Sequence, residues 1–470
     1  MLFNSQVYFV FLPAVILITW ALPRRLRPVF LLGASYLFYA YWNPPFLLLI
    51  AGLTGANYWI GRAQGGLIVK SAILLTLGIA VDLGALGVFK YLGLLDDSAR
   101  RLATVFGLPL VPGLIHLILP LGLSFFTFEF IHYQVDVFRG SPPIRSPIRF
   151  ALFPAFFPTQ IAGPIKRYQD FDAQVGSQPR FDSQLALEGI ELIALGLFKK
   201  VALADNLLPI ANLVFTDPLR WGWRDSWIGL LAFSFQIYLD FSGYTDIGRG
   251  SAQLLGYRIP INFQAPYLAA NMRDFWRRWH ISLSSWLRDY LYIPLGGSRL
   301  SRPRTRLNLF ITMGLGGLWH GAAWHFVTWG LGHGAALAVS REWQQIIGMR
   351  IKRSWMTAII GWALTQTSVL FLWAFFRSPS SAAALTMLKH VFAISTLNHL
   401  PNSHIRTVVM IAGGVLAAQL IMRHWQPRQF VERWRWSVVA RPGYIFALAA
   451  VSGYFGVVNG LPHRFIYFQF

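Results

Sequence analysis

The chain has 470 residues, 55% of them hydrophobic and only 13% charged, and a net charge of +22 from 41 Lys and Arg against 19 Asp and Glu. That much apolar and aromatic mass excludes disorder, and so little charge excludes an ordinary soluble enzyme, in which roughly 25% of residues are charged. The absence of cysteine excludes disulfides, Cys-ligated zinc, iron–sulfur clusters, S-palmitoylation and any thiolate nucleophile.

Apolar runs of membrane-spanning length, roughly 15–25 residues each, recur at 7–22, 28–42, 46–60, 71–89, 113–137, 185–215, 226–247, 307–341 (bent), 355–376, 406–423 and 442–460. They predict an all-α polytopic membrane protein with roughly 11 transmembrane helices. It reads as one membrane domain over 1–470, with its core motifs at 225–341. A further run, 148–163, is broken by Pro154, Pro158 and Pro164. It reads as re-entrant, because non-helical backbone at depth is tolerated only inside protein.

The charges follow the runs. Arg24, Arg25 and Arg27 come after the first, Arg62 and Lys70 after the third, and Arg139, Arg145, Arg149, Lys166 and Arg167 after the fifth. In the loop expected after the fourth, Asp96 and Asp97 cancel Arg100 and Arg101. Basic loops thus alternate with neutral ones, the pattern of a membrane protein and not of a nucleic-acid binder. The N-terminus is expected outside, and 24–27, 299–306, 350–353 and 423–441 in the cytoplasm. The tail at 461–470 then ends on the outer side. The first run lacks a basic n-region and its arginines follow it, so it is expected to stay as a span.

Polar residues interrupt several runs. Glu129, His132 and Asp136 fall at i, i+3 and i+7 of the fifth and share a face, as a proton relay or a buried network would. Asp240, Ser242, Tyr244 and Asp246 interrupt an aromatic span at 233–247, and Gly243 is expected to break its helix. A structural network in which Asp accepts from Tyr and Ser is one reading; the ion path of a transporter is the other.

Residues 269–292 read AANMRDFWRRWHISLSSWLRDYLY. On one helix, Phe275, Trp276, Trp279, Leu283, Trp286, Leu287 and Tyr290 form an apolar face opposite Arg273, Arg277, His280, Ser284 and Arg288. This fits an interfacial anchor with a solvated basic face, or a basic platform for an anionic ligand. The neighbouring arginines are expected to keep His280 neutral. Residues 308–340 place His320, His325 and His333 in an uncharged apolar segment, with Gly314, Gly316, Gly317 and Gly321 around His320. Each histidine either bonds a neighbouring helix or faces a wet cavity, and the glycines permit close helix approach or an opening for a slim substrate. No metal site is expected, since no HxxxH pair occurs, and no GxSxG elbow is present.

The stretches RDFWRRWHISLSSWLRDYLYIPLGGSR (273–299) and NLFITMGLGGLWHGAAWHFVTWGLGHG (308–334) resemble the bacterial branch of the membrane-bound O-acyltransferases (MBOAT), in particular the alginate O-acetyltransferase membrane subunits. YLDFSGYTDIGRG (238–250), FFPTQIAGPIKRY (156–168) and FIYFQF (465–470) are similar to that branch too, so the likeness spans nearly the whole chain. D-alanyl transferases of teichoic acid modification are more distantly similar. The resemblance implies helices around a central tunnel and transfer of an acyl group from a cytoplasmic thioester, acetyl-CoA or an acyl carrier, with no bound cofactor. The acceptor would be an exopolysaccharide such as alginate, reached across the cell inner membrane. It also implies an exopolysaccharide synthesis complex with a periplasmic SGNH-type acetyltransferase as partner.

The family's near-invariant histidine matches His320 in GLWHG, and its second position matches His280 in RRWHISLS. His320 is then the base and His280 orients the donor. Arg273, Arg277 and Arg278 are candidates for the donor's phosphates. Asp240, Tyr244 and His333 are candidates for a supporting polar network. An exporter using Asp240, Asp246 and Glu129, and a scaffold for a partner acetylase, are the other readings of the same residues.

Overall fold

The computed structural model describes residues 1–64, 68–108, 117–161, 163–346, 354–393, 399–424, 437–458 and 460. These hold nineteen α-helices and no β-strand. The motif at 465–470, the tail at 461–470 and the basic stretch 350–353 lie outside the described residues, as does most of 423–441. The chain divides into two compact units, Met1–Ile190 with Gly248–Pro260, and Glu191–Ile247 with Ile261–Phe470.

The first unit contains α1 (Gln6–Ala21), α2 (Arg27–Ala40), α3 (Phe46–Gln64), α4 (Ile68–Leu86), α5 (Leu92–Val105), α6 (Leu123–Phe138), α7 (Pro147–Ala155) and α8 (Tyr168–Ser177). Ser5 caps α1 by accepting from the Tyr8 amide. On α1, Tyr8 and Leu12 turn inward while Val10 and Leu17 are exposed, an apolar outer surface that suits lipid and not water. The fourth run is longer than expected. A π-helical turn, Gly87–Tyr91, joins α4 to α5, and helix continues to Val105. The charges assigned to a loop sit on this helix instead, where Asp96 and Arg100 pair at 2.9 Å with i,i+4 spacing. Among the described residues, Ser71–Val105, Trp355–Arg377 and Asn402–Arg423 are helices long and apolar enough to cross a membrane.

Prolines shape the next segment as expected. Helix α7 is short, and residues 156–161 and 163–167 continue as buried turns and extended chain. Lys166 anchors them: its Nζ lies 2.9 and 3.1 Å from the two Glu129 oxygens, over the Phe153 ring at 5.0 Å. His132 accepts from the Tyr168 amide, and Asp136 accepts from Gln169. The Glu129, His132 and Asp136 face therefore holds this segment in place. Nearby, α3, α4 and α6 share a buried network absent from the sequence reading. Asn57 donates to Asp82 at 2.7 Å, Gln134 donates to Asn57, and Gln64 donates to Gln134.

The second unit contains α9 (Ser183–Leu197) from Glu191 onward, then α10 (Asp205–Thr216), α11 (Trp223–Leu254) up to Ile247, α12 (Met272–Arg278), α13 (Ile281–Leu287), α14 (Arg302–His320) and α15 (Trp324–Ile346). It ends with α16 (Trp355–Arg377), α17 (Ser381–His390), α18 (Asn402–His424) and α19 (Ser437–Val458). A π-helical segment, Phe198–Ala204, joins α9 to α10. From it Lys200 reaches Asp205 at 2.7 Å and Asp240 at 2.6 Å, and Lys199 reaches Asp246 at 2.6 Å. Asp240 thus does not stand alone in its apolar run but pairs with a lysine. Nor does Gly243 break α11. Its bare backbone lets the Gly196 carbonyl come to 2.7 Å from where a Cβ would stand, so the helix passes straight through a close crossing.

Two substitutions test these networks by thermal unfolding in detergent. Lys200→Met leaves two buried carboxylates facing each other and should cost about 3–5 kcal/mol; an unchanged midpoint would remove the cluster's structural role. Asp82→Asn keeps an acceptor for Asn57 and should hold the midpoint, whereas Asp82→Leu strands that amide and should cost about 1–3 kcal/mol.

Candidate active site

Helix α12 starts at Asn271, whose side chain accepts from the Asp274 amide, and closes when the Trp279 amide donates to the Phe275 carbonyl. The continuous helix expected over 269–292 does not form. Trp279 is extended and His280 takes left-handed backbone angles, φ 42° and ψ 54°, which cost a non-glycine residue roughly 1–3 kcal/mol. Asn262 holds the kink. Its carbonyl accepts from the Ile281 amide at 2.9 Å, and its side chain accepts from the Ser282 hydroxyl at 2.6 Å.

This turn takes His280 off the basic face and buries it fully. Its ring lies 4.7 Å from Phe241, 6.0 Å from Trp319 and 6.3 Å from His320, between ring centroids. Neither ring nitrogen has a hydrogen-bond partner among the described residues. Burial pushes the His280 ring down to about 3, so removal from water keeps it neutral, not the arginines. Arg273 and Arg277 stay exposed on α12. Arg278 donates to Asp274 at 3.0 Å and to the Gln264 carbonyl at 3.3 Å. The three arginines share a short helix with Phe275 and Trp276, whose rings turn into the core.

His320 is the last residue of α14. The bend expected in 307–341 is a break between α14 and α15 at 321–323. The two helices approach so closely that a Cβ on Gly317 would strike the Phe326 carbonyl, and one on Gly330 the Met313 carbonyl. The glycines here serve contact between helices. That contact places Trp329 5.0 Å from His320 at 88°, with Phe376 of α16 at 5.3 Å. His320 is 8% exposed.

His333, one turn beyond Trp329, is fully buried against Trp329 at 4.7 Å and Trp276 at 5.0 Å. Its ring nitrogens also have no hydrogen-bond partner among the described residues. His325 departs from this cluster and bonds the Phe375 carbonyl at 2.9 Å. Among the described residues no three His, Cys, Asp or Glu converge as a metal site would require.

The structure thus brings His280, His320 and His333 to one aromatic cluster on α12–α16. Asp240 turns instead to Lys200, and Tyr244 is buried one turn later on α11. Sequence reasoning missed Trp329, Phe376 and Phe241. The signals were present for two of them: Trp329 precedes His333 at helical spacing, and Phe241 lies inside YLDFSGY. An imidazole at a helix end, walled by rings and close to a second imidazole, can take a proton from a bound hydroxyl with little competition from water.

A family model described as MBOAT, membrane-bound O-acyltransferase family, matches residues 139–378, a span that contains all three histidines. The Probable alginate O-acetylase AlgI of Pseudomonas aeruginosa is 40% identical over 438 residues, covering 92% of this chain and 82% of that protein. The Peptidoglycan O-acetyltransferase of Helicobacter pylori is 35% identical over 431 residues, covering 84% of this chain and 80% of that protein. The Teichoic acid D-alanyltransferase of Bacillus subtilis is 31% identical over 226 residues, covering 45% and 56%. The buried histidine pair therefore sits in a protein that belongs to the membrane-bound O-acyltransferase family, and the chain is an O-acyltransferase of the membrane.

Proposed function

We propose that the chain transfers acetyl from a cytoplasmic thioester, acetyl-CoA or an acyl carrier, across the cell inner membrane for O-acetylation of an exopolysaccharide. Alginate or a similar polymer is the acceptor this reading favours, because relatives named as alginate O-acetylases align over most of the chain. The observation that carries the mechanism is the pairing of His320 with His280, two rings 6.3 Å apart in a solvent-poor aromatic cluster. His320 accepts the proton of the attacking hydroxyl. The hydroxyl oxygen bonds to the acyl carbon, the carbon–sulfur bond breaks, and the proton passes from His320 to the departing thiolate. His280, neutral and held by its strained turn, orients the thioester.

Exposed Arg273 and Arg277 are the arginines of this set best placed to meet the donor's phosphates, since Arg278 is engaged with Asp274. Asp240 and Tyr244 support α11 behind Phe241. The hydroxyl belongs to the polymer or to a periplasmic SGNH-type acetyltransferase that hands the acetyl on within an exopolysaccharide synthesis complex.

Membrane vesicles supplied with labelled acetyl-CoA test this reading. His320→Ala should lower labelling of polymer or partner about 100-fold or more, the range for loss of a general base, with protein level unchanged. Labelling at the wild-type rate would remove His320 from the chemistry. Arg273→Ala with Arg277→Ala should raise the KM for acetyl-CoA while leaving kcat nearly unchanged; an unaltered KM would assign both arginines to the membrane interface alone.

A further inference from the structure

The walls around His320 carry information about the acyl group itself. The reacting carbonyl carbon must stand about 3–3.5 Å from a hydroxyl that is within hydrogen-bond reach of the base. An acyl chain bonded to that carbon therefore extends into whatever surrounds the His320 ring. Trp329 stands across the ring edge at 5.0 Å and Phe376 at 5.3 Å. Neither wall can move aside easily, because each is backed by further rings. Phe376 is flanked by Phe326 at 5.0 Å and Trp373 at 5.3 Å. Trp329 is wedged against His333 at 4.7 Å and stacked on Trp373 at 5.8 Å. Both walls are buried, Trp329 and Phe376 at 1% exposure each. A close-packed wall of this kind resists even one extra methylene.

We propose that Trp329 and Phe376 are specificity-determining residues that restrict the transferred group to the shortest acyl chains, acetyl above all. The inference rests on the acyl-transfer reading and adds a limit on chain length that the reading does not contain. A longer chain must displace a ring that is itself supported on its far side. An acetyl group, with its single methyl, asks for the least such displacement. Exclusion by size is the form of discrimination that a rigid apolar wall performs well, since it acts against the larger competitor.

Membrane vesicles containing the full chain, supplied in turn with labelled acetyl-, propionyl-, butyryl- and hexanoyl-CoA, test it. The wild type should transfer butyryl about 100-fold more slowly than acetyl and hexanoyl at background. Phe376→Ala and Trp329→Ala should each raise the butyryl-to-acetyl ratio at least about 10-fold, with the folded fraction followed by size-exclusion elution in detergent. A wild-type rate that is flat from acetyl to hexanoyl overturns the inference whether or not the variants fold. Folded variants that keep the wild-type ratio overturn it as well. Failure of the wild type to transfer acetyl at all is a different result: it removes the acyl-transfer reading and this inference with it.

Discussion

Gly317 and Gly330 set how closely α14 and α15 approach, and the position of His320 follows from that distance. The carbonyls of Met313 and Phe326 occupy the space that two side chains would need. Helices in lipid gain little from hiding apolar side chains from one another, so their association depends on such close contact. Here the contact does more than join two helices. It brings the end of α14 against the first turns of α15, and Trp329 therefore meets His320 on one side and His333 on the other.

A second constraint concerns charge. Carboxylates at membrane depth are expensive unless paired, and three that interrupt apolar runs here meet a lysine. Glu129 meets Lys166, Asp240 meets Lys200 and Asp246 meets Lys199, all at 2.6–2.9 Å. Groups clamped this way serve as structural ties. The histidines differ, because His280 and His333 are buried with ring nitrogens that bond nothing among the described residues. The pairing of Glu129, Asp240 and Asp246 weighs against an ion path through them.

Much of this was legible in the sequence for simple reasons. Membrane-spanning runs, an irregular proline-broken segment and a bend between 307 and 341 each have local signals: length, Pro154 with Pro158, and the glycines near His320. The break at Trp279–His280 has none. No glycine or proline marks it, and the 3.6-residue pattern of aromatics continues across it undisturbed. The turn is fixed by Asn262, eighteen residues earlier in the chain, which periodicity cannot see. The same limit applies to the lysines. Lys199 and Lys200 lie inside the apolar run 185–215, and only the fold shows that they face Asp246 and Asp240. Asp82 was hidden for the opposite reason, being a lone acid in an otherwise unremarkable span.

The π-helical segment Phe198–Ala204 has one more consequence. Two consecutive lysines leave it toward two carboxylates six residues apart on α11. Sliding α11 along its axis by a single turn would separate both ammonium groups from their anions together. The double attachment therefore acts as a registration pin, fixing the axial position of α11 and with it the depth of Phe241 under His280. A change of sign or length at any one of these four residues would leave an unmatched charge at another.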